Sequence, residues 1–126
     1  MNSFDPIEND AFCKKMLSGS DCEQLLDWLS KEDDIQRTLG EFQIEEDAEQ
    51  FAAELLIAGA NSIWVVDIER ATKDYRSENS GKLCIQLPKD DEQRPILLEI
   101  ANEIAEEQGF DAVPDNGQEY LFIALD

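Results

Sequence analysis

The sequence contains no histidine, and its 10 lysine and arginine residues face 30 aspartate and glutamate residues. Histidine is the side chain best suited to proton transfer near neutral pH, so its absence excludes Ser–His and Cys–His nucleophile pairs. The six glycines stand singly, which excludes the glycine-rich loops that bind phosphates or dinucleotides. The sequence therefore predicts a protein that is not an enzyme and needs no cofactor.

Cysteines and long apolar runs are also scarce. The three cysteines, Cys13, Cys22 and Cys84, have no metal-binding spacing. There is no run of about 18 apolar residues, which predicts that the chain does not span a membrane. The first ten residues lack the basic start and apolar stretch of a secretory signal. We therefore expect a cytoplasmic protein with reduced thiols.

The formal net charge is −20. Nucleic acids and anionic membrane surfaces attract clusters of lysine and arginine, so this charge predicts neither kind of partner. It is compatible with a basic protein partner. Solubility alone, or adaptation to a salty host, explains the same charge without any partner.

Two parts of the chain share one order of elements: a helix, a glycine and a strand. Apolar residues recur at helical spacing over 48–58 and again over 97–105. Gly59 and Gly109 follow these stripes, where glycine favours the end of a helix. Residues rich in β-branched and aromatic side chains come next, which predicts strands at 62–68 and 119–125.

The remaining segments complete the predicted fold. Asp5 and Pro6 predict the start of a helix that runs to Leu17, and a capping-box pattern over 20–23 predicts a second helix, so residues 1–34 form a helical hairpin. Strands at 35–42 and 82–87 then give the order βαββαβ. We predict one α+β folding unit, a ferredoxin-like sandwich over 35–126 with a four-stranded antiparallel sheet and two helices on one face.

Alternation along the strands predicts an apolar sheet face away from those two helices. This face would carry the partner-binding candidates Ile63, Val65, Tyr120 and Phe122, together with Asp67, Cys84 and Gln86. It is too apolar to face water. Either the N-terminal hairpin covers it, or it binds a protein partner or a second copy of the chain, or the two faces of the strands are the reverse of this assignment.

The loop 70–82 is the one stretch of this length that is locally basic. Its four basic residues outnumber its two acidic ones, which gives a local net charge of +2. We predict that Arg70, Lys73 and Arg76 dock an acidic group or partner. The alternative is a solvated hairpin whose cations pair with the chain's own carboxylates.

Asp67 and Glu69 lie two residues apart on a predicted strand and would share one face. Such a pair is a weak candidate for holding Mg²⁺ or Ca²⁺. Carboxylate pairs are expected by chance in a chain this acidic, so we predict no specific metal site.

Residues 105–122, AEEQGFDAVPDNGQEYLF, are similar to the turn-and-strand ending of small bacterial regulators that inhibit a ribonuclease by protein contact. The resemblance covers the last third of the chain. The aromatic-glycine signature of that family is absent, so no residue role is transferred. Together these patterns predict a small acidic protein that acts by protein–protein interaction, as a regulator or inhibitor of a basic protein. The alternative is a small-molecule or divalent-metal binding module that uses the sheet face and Asp67.

Overall fold

A computed structural model describes residues 4–40, 42 and 44–125 of the chain. Its helices and strands follow in chain order: α1 (Pro6–Leu17), β1 (Glu23–Gln24), α2 (Leu25–Leu29), β2 (Gln36–Leu39), α3 (Glu45–Ile57), β3 (Ser62–Val66), β4 (Ser77–Ser80), β5 (Lys82–Gln86), α4 (Arg94–Glu107) and β6 (Tyr120–Ala124). No described helix has the length and apolar character needed to cross a bilayer.

The main sheet has four antiparallel strands in the order β1-β3-β5-β6. The predicted α+β class is confirmed, and the strands predicted at 62–68, 82–87 and 119–125 are neighbours in this sheet. In the β3–β5 pair, Ile63 lies opposite Ile85 and Val65 opposite Leu83. These apolar cross-strand pairs fix the register.

The strand predicted at 35–42 forms but does not join the main sheet. It is β2, and it pairs in parallel with β4 in a separate two-stranded sheet. Arg37 of β2 is only 3% exposed, and it pairs with Glu78 of β4. A buried arginine needs a carboxylate partner, so this pair favours β4 as the neighbour of β2. The ferredoxin-like topology is therefore not confirmed.

The fourth strand of the main sheet comes from the predicted N-terminal extension. Glu23 and Gln24 pair with Val65 and Trp64 of β3, so the capping box predicted at 20–23 is wrong. The helix that follows has five residues, and no side chain caps its start. The helical hairpin is not confirmed, and the predicted boundary between 1–34 and 35–126 stays a prediction.

The predicted helix ends are confirmed for the two longest helices. After α3, Gly59 has a φ of 114°, and the Ala60 N–H donates to the carbonyl of Leu55 at 3.1 Å. After α4, Gly109 has a φ of 86°, and the Phe110 N–H donates to the carbonyl of Ala105 at 2.7 Å. Both are Schellman motifs, in which glycine takes the left-handed conformation that satisfies the last carbonyls of the helix.

The main sheet separates two apolar clusters. The larger is the main core, in which the sheet packs against α2, α3 and α4; Leu55, Val65, Leu97 and Leu121 lie at its centre. The smaller lies between the opposite face of the sheet and α1, around Cys13, Val66 and Cys84. The molecule is therefore layered, with one helix on one side of the sheet and three on the other.

Candidate functional surfaces

The face of the sheet away from the main core differs from the predicted one along β3. Ile63 and Val65 are 6% and 0% exposed within the main core, so their predicted place beside Tyr120 and Phe122 is wrong. Trp64 and Val66 take that side instead. Asp67 explains the error, because its φ of 51° interrupts the strand. Val65 and Ile68, three residues apart, therefore both reach the main core.

Helix α1 covers this second face, whereas α2, which was also predicted to lie there, packs into the main core. The rings of Phe12 and Phe122 meet edge to face with 5.1 Å between their centroids. The Asn9 side chain donates to the Tyr120 carbonyl at 2.8 Å. The Asp10 carboxylate accepts from the backbone N–H groups of Glu119 and Tyr120. These contacts fasten α1 across the sheet and onto the beginning of β6.

A depression remains open beside α1 on the same face. Its volume is about 450 Å³, and its lining is uncharged: Leu17, Gln24, Ser62, Trp64, Gln86 and Tyr120. We call it the Trp64 depression. The Trp64 indole donates to the Ser62 hydroxyl at 3.1 Å, and that hydroxyl donates to the Gln86 side-chain oxygen at 3.2 Å. This hydrogen-bonded chain fixes the indole along the lining.

Most of the cations in the basic loop 70–82 form ion pairs with the chain's own carboxylates. Arg70 binds Glu23 at 2.6 Å, Arg76 binds Asp34 at 2.6 Å, and Lys82 binds Asp67 at 2.6 Å. Lys73 is exposed and makes no ion pair within the described residues. Part of the loop is β4, so the segment is ordered by pairing with β2. The docking role of Arg70, Lys73 and Arg76 stays a prediction.

Glu78, on β4, is the centre of a buried ion network. The Glu78 carboxylate accepts from the Trp28 indole at 3.0 Å, from Arg37 Nε at 3.2 Å and from the Ala71 N–H at 3.2 Å. Burial raises the pKa of Glu78, but these donors and the charge of Arg70 outweigh it, so the pKa lies below its ordinary value. The network also includes Glu23, Lys31, Asp33 and Arg70.

Asp33 closes the network at the surface. It receives two hydrogen bonds from the Arg37 guanidinium, each 2.8 Å long. This paired bond is the main cause that lowers the pKa of Asp33 to about 2. No sequence pattern predicts the network, because its hydrogen bonds join residues as far as 50 positions apart. The one available signal was an arginine in an otherwise β-like stretch.

The weak metal candidates do not converge on a site. Asp67 is bound to the Lys82 ammonium, and Glu69 accepts from the Asn79 side chain at 3.3 Å. Across the part of the chain that the structure describes, no group of three or more histidine, cysteine, aspartate or glutamate side chains could hold a metal ion.

The cysteines behave as packing residues. Cys13 and Cys84 are both 0% exposed, and all three cysteines are free thiols. The interaction between these two buried thiols raises the pKa of Cys13 and lowers that of Cys84. Cys13 lies on the buried side of α1 and Cys84 lies on β5 beneath that helix, so neither is open to a substrate.

A groove runs along the outer edge of β6. We call it the β6 groove; its volume is about 190 Å³. It is lined by α4 (Ala101, Asn102, Ala105), by the following loop (Phe110, Asp111, Val113) and by β6 (Phe122, Ile123, Ala124). Asn102 supports the loop, because its side chain exchanges two hydrogen bonds with the backbone of Val113, at 2.8 and 3.0 Å. These hydrogen bonds hold the loop that forms one wall of the groove in place.

The outer surfaces of α3 and α4 are acidic. Nine exposed carboxylates, five on α3 and four on α4, make no ion pair within the described residues: Glu45, Glu46, Asp47, Glu49, Glu54, Glu99, Glu103, Glu106 and Glu107. We call them the acidic helix surface. The one basic residue of these two helices, Arg94, is 8% exposed and binds Asp115 at 2.7 Å.

The comparisons with known proteins bear on the resemblance to ribonuclease regulators, and they lend it no support. No protein-family model, no curated protein and no solved structure matches this chain.

Proposed function

We propose that this protein has no catalytic activity of its own and acts by binding a basic partner protein. The observation that carries the proposal is the unequal use of the two signs of charge. Seven of the chain's ten basic residues form ion pairs with its own carboxylates. No cation among the residues that the structure describes neutralises the acidic helix surface, and a basic partner would supply that neutralisation.

The pairing of the cations leaves little to attract a polyanion. Among the described residues, only Lys15, Lys73 and Lys89 make no ion pair, and they lie in three separate segments. Binding to nucleic acid or to an anionic membrane depends on clustered cations whose counterions are released. The proposal therefore includes neither as a partner.

The acidic helix surface would act mainly on the rate and selectivity of association. Exposed charges of one sign steer an oppositely charged protein toward the surface and raise its association rate, an effect that salt screens. They add little affinity individually. A contact of this kind suits a regulator or inhibitor of a basic protein.

Zero-length cross-linking in an extract of the source cells tests the proposal. A carbodiimide joins a carboxylate directly to a lysine amine, so it reports contacts of the acidic helix surface. We expect one basic protein to be cross-linked in stoichiometric amount through carboxylates of α3 or α4. A variant with all five α3 carboxylates changed to their amides should lose every cross-link that maps to α3 and bind the partner more slowly.

A matched variant with amides at Asp27, Glu32, Asp74, Asp90 and Asp91 carries the same net charge and leaves α3 and α4 intact. It should retain the cross-linked product. Equal loss in both variants would mean that net charge alone draws the proteins together, and a partner that is not basic would contradict the proposal.

The Trp64 depression favours a second candidate function, the binding of an uncharged small molecule. Its volume of about 450 Å³ lies within the range of about 300–1,000 Å³ typical of ligand sites, and it combines aromatic surfaces with amides. A thermal-shift screen with common metabolites tests it, since a ligand at 100 times its dissociation constant stabilises by about 2.7 kcal/mol. A hit that Trp64→Ala abolishes would favour this function; shifts with Ca²⁺ or Mg²⁺ that Asp67→Asn removes would favour a metal.

A further inference from the structure

The outer strand of the main sheet presents unused backbone groups. In the β5–β6 ladder, the Leu87 N–H donates to the Glu119 carbonyl at 2.8 Å and the Leu125 N–H to the Gly81 carbonyl at 2.7 Å. Hydrogen-bonded residues alternate along an antiparallel strand. The odd-numbered residues of β6 therefore bind β5, and Tyr120, Phe122 and Ala124 direct their N–H and C=O groups away from the sheet.

Helix α1 occupies the first part of this edge. Asp10 accepts from the Tyr120 N–H at 3.1 Å, and Asn9 donates to the Tyr120 carbonyl at 2.8 Å. Within the described residues, nothing accepts from or donates to the outward backbone groups of Phe122 and Ala124. The two N–H donors and two C=O acceptors of these residues therefore have the geometry needed to pair with another strand.

The β6 groove lies directly beside these four groups. Ala101 and Ala105 of α4 and Val113 of the loop give it an apolar floor. Successive side chains of a strand point to opposite sides. A segment lying along Phe122 and Ala124 would therefore place alternate side chains in the groove while its backbone bonds to β6.

The edge lacks the usual protection against such pairing. Outer strands commonly carry a lysine or a proline that blocks addition, whereas β6 reads YLFIA. The charges around the groove are acidic: Asp111 is part of the lining, and Glu99 and Glu106 stand one turn on either side of Asn102. No basic side chain lines it.

We infer that the β6 groove takes an extended segment of a basic partner protein, which adds to β6 as a fifth strand of the main sheet. The segment has four or five residues, with β-branched or other apolar side chains alternating and with arginine or lysine at its ends. This inference rests on the proposed function and names the surface and the chemistry of the partner. A second copy of the chain fits less well, because it would bring the same carboxylates to the same edge.

The probe is a capped pentapeptide with the sequence arginine–valine–threonine–valine–arginine. Titration into the full-length, ¹⁵N-labelled protein should move the amide signals of Phe122 and Ala124 first. It should also slow hydrogen exchange at these two amides at least tenfold. The same peptide with glutamate at both ends should bind at least tenfold more weakly.

Backbone methylation supplies a matched pair of controls. Alternate amides of an added strand face its neighbour. One control peptide is methylated at the threonine nitrogen, and the other is methylated at both valine nitrogens. We expect one of these two peptides to lose binding and the other to bind as the unmethylated peptide does. Equal binding by both would show that no strand is added and would overturn the inference.

Two variants of the protein test the site from the other side. Ala124→Pro removes an outward donor but no bond to β5, and Ala105→Leu fills the groove without touching the strand. Each should weaken the peptide at least tenfold with an unchanged circular dichroism spectrum. Ala53→Leu, an exposed alanine on α3, is the control and should change nothing.

Three outcomes would overturn the inference. The first is signal changes confined to the Trp64 depression, and the second is no binding at millimolar peptide. The third is protection of Phe122 and Ala124 that grows with protein concentration alone, which would assign the edge to a second copy. If a basic partner cross-links to α3 or α4 but leaves these two amides unprotected, the inference fails while the proposed function stands.

Discussion

Carboxylates occupy two opposite kinds of place in this molecule. Glu78 is 6% exposed and touches Trp28, Arg37 and the backbone of Ala71, whereas Glu49 on α3 is exposed and has no cation beside it among the described residues. In the buried ion network, each acid is held by a specific donor. On the acidic helix surface, the acids only repel one another. Nine of the chain's 30 carboxylates therefore lie on the outside of two helices, where no cation among the described residues neutralises them.

The difference separates a structural role from a binding role. The network joins β1, β2 and β4, which are the shortest strands of the fold, and α2, which is its shortest helix. Removing one partner from such a network leaves the other charge buried and unpaired, which is far more costly than losing an exposed charge.

Glu78→Ala should have the largest effect. It leaves Arg37 and the Trp28 indole without their buried acceptor, so we expect the free energy of unfolding to fall by about 3–5 kcal/mol. Urea unfolding followed by circular dichroism measures this. Glu69→Ala, an exposed glutamate nearby, should stay within about 0.5 kcal/mol of the parent protein. Equal losses in the two variants would show that the network contributes no more to the free energy of unfolding than an exposed glutamate does.

Arg94→Met should have the next largest effect. The Arg94 guanidinium binds Asp115 and donates to the carbonyls of Pro88 and Gln118, at 3.1 and 2.8 Å. Methionine keeps much of the packing volume but leaves these acceptors unmatched, so we expect a loss of about 2 kcal/mol. The exposed Lys89→Met is the control in the same unfolding assay. A loss of less than 0.5 kcal/mol at Arg94 would mean that water replaces the guanidinium.

Acid should loosen the network in a way that depends on Asp33. Its pKa falls from 3.8 to about 2 on folding, so its contribution is present above pH 3.8 and is lost as the pH falls toward 2. We expect the urea midpoint to decrease over this window, and Asp33→Asn to make that decrease shallower. The exposed Asp74→Asn should leave the slope unchanged. An identical slope in Asp33→Asn would contradict the assignment.

The smallest effect belongs to the acidic helix surface. Glu49 follows Glu45 by four residues on α3, and like charges at this spacing destabilise a helix by about 0.2–0.5 kcal/mol. Glu49→Gln should therefore stabilise the protein slightly at low salt, and 0.5 M KCl should erase the gain. Glu54 has no acidic residue three or four positions away, so Glu54→Gln should give no gain in the same melting experiment.

Local chemistry explains why much of the fold could be predicted. The cap at Asp5 is confirmed, since its carboxylate accepts from the Ile7 N–H at 2.9 Å, and Gly59 and Gly109 end their helices as expected. Each of these signals lies within a few residues of the element that it sets. The alternation of apolar residues also predicts β5 and β6 correctly, including which of their side chains face the main core.

Pairing between distant segments explains what could not be predicted. β1 has only two residues, too few to show a period, and it is recognised only by its partner β3. β2 was predicted as a strand, but its neighbour depends on the contact between Arg37 and Glu78, 41 residues apart. Sequence patterns carry no direct information on such a choice.

The candidate surfaces depended on two facts that a sequence does not reveal. The first is the left-handed conformation of Asp67, which is uncommon for a residue other than glycine and which exchanged the faces of β3. The second is strand order, since only the topology makes β6 an outer strand. Tyr120 and Phe122 were therefore assigned to the correct face, while the groove beside them was missed.

The hydrogen bonds of Asn9 and Asp10 to the Tyr120 backbone have a consequence for handling the protein. A protease that removed α1 would uncover the whole length of β6 and the apolar cluster around Cys84 in one cut. Such a fragment would be prone to stack edge to edge into insoluble aggregates. The first helix is thus also a safeguard against polymerisation.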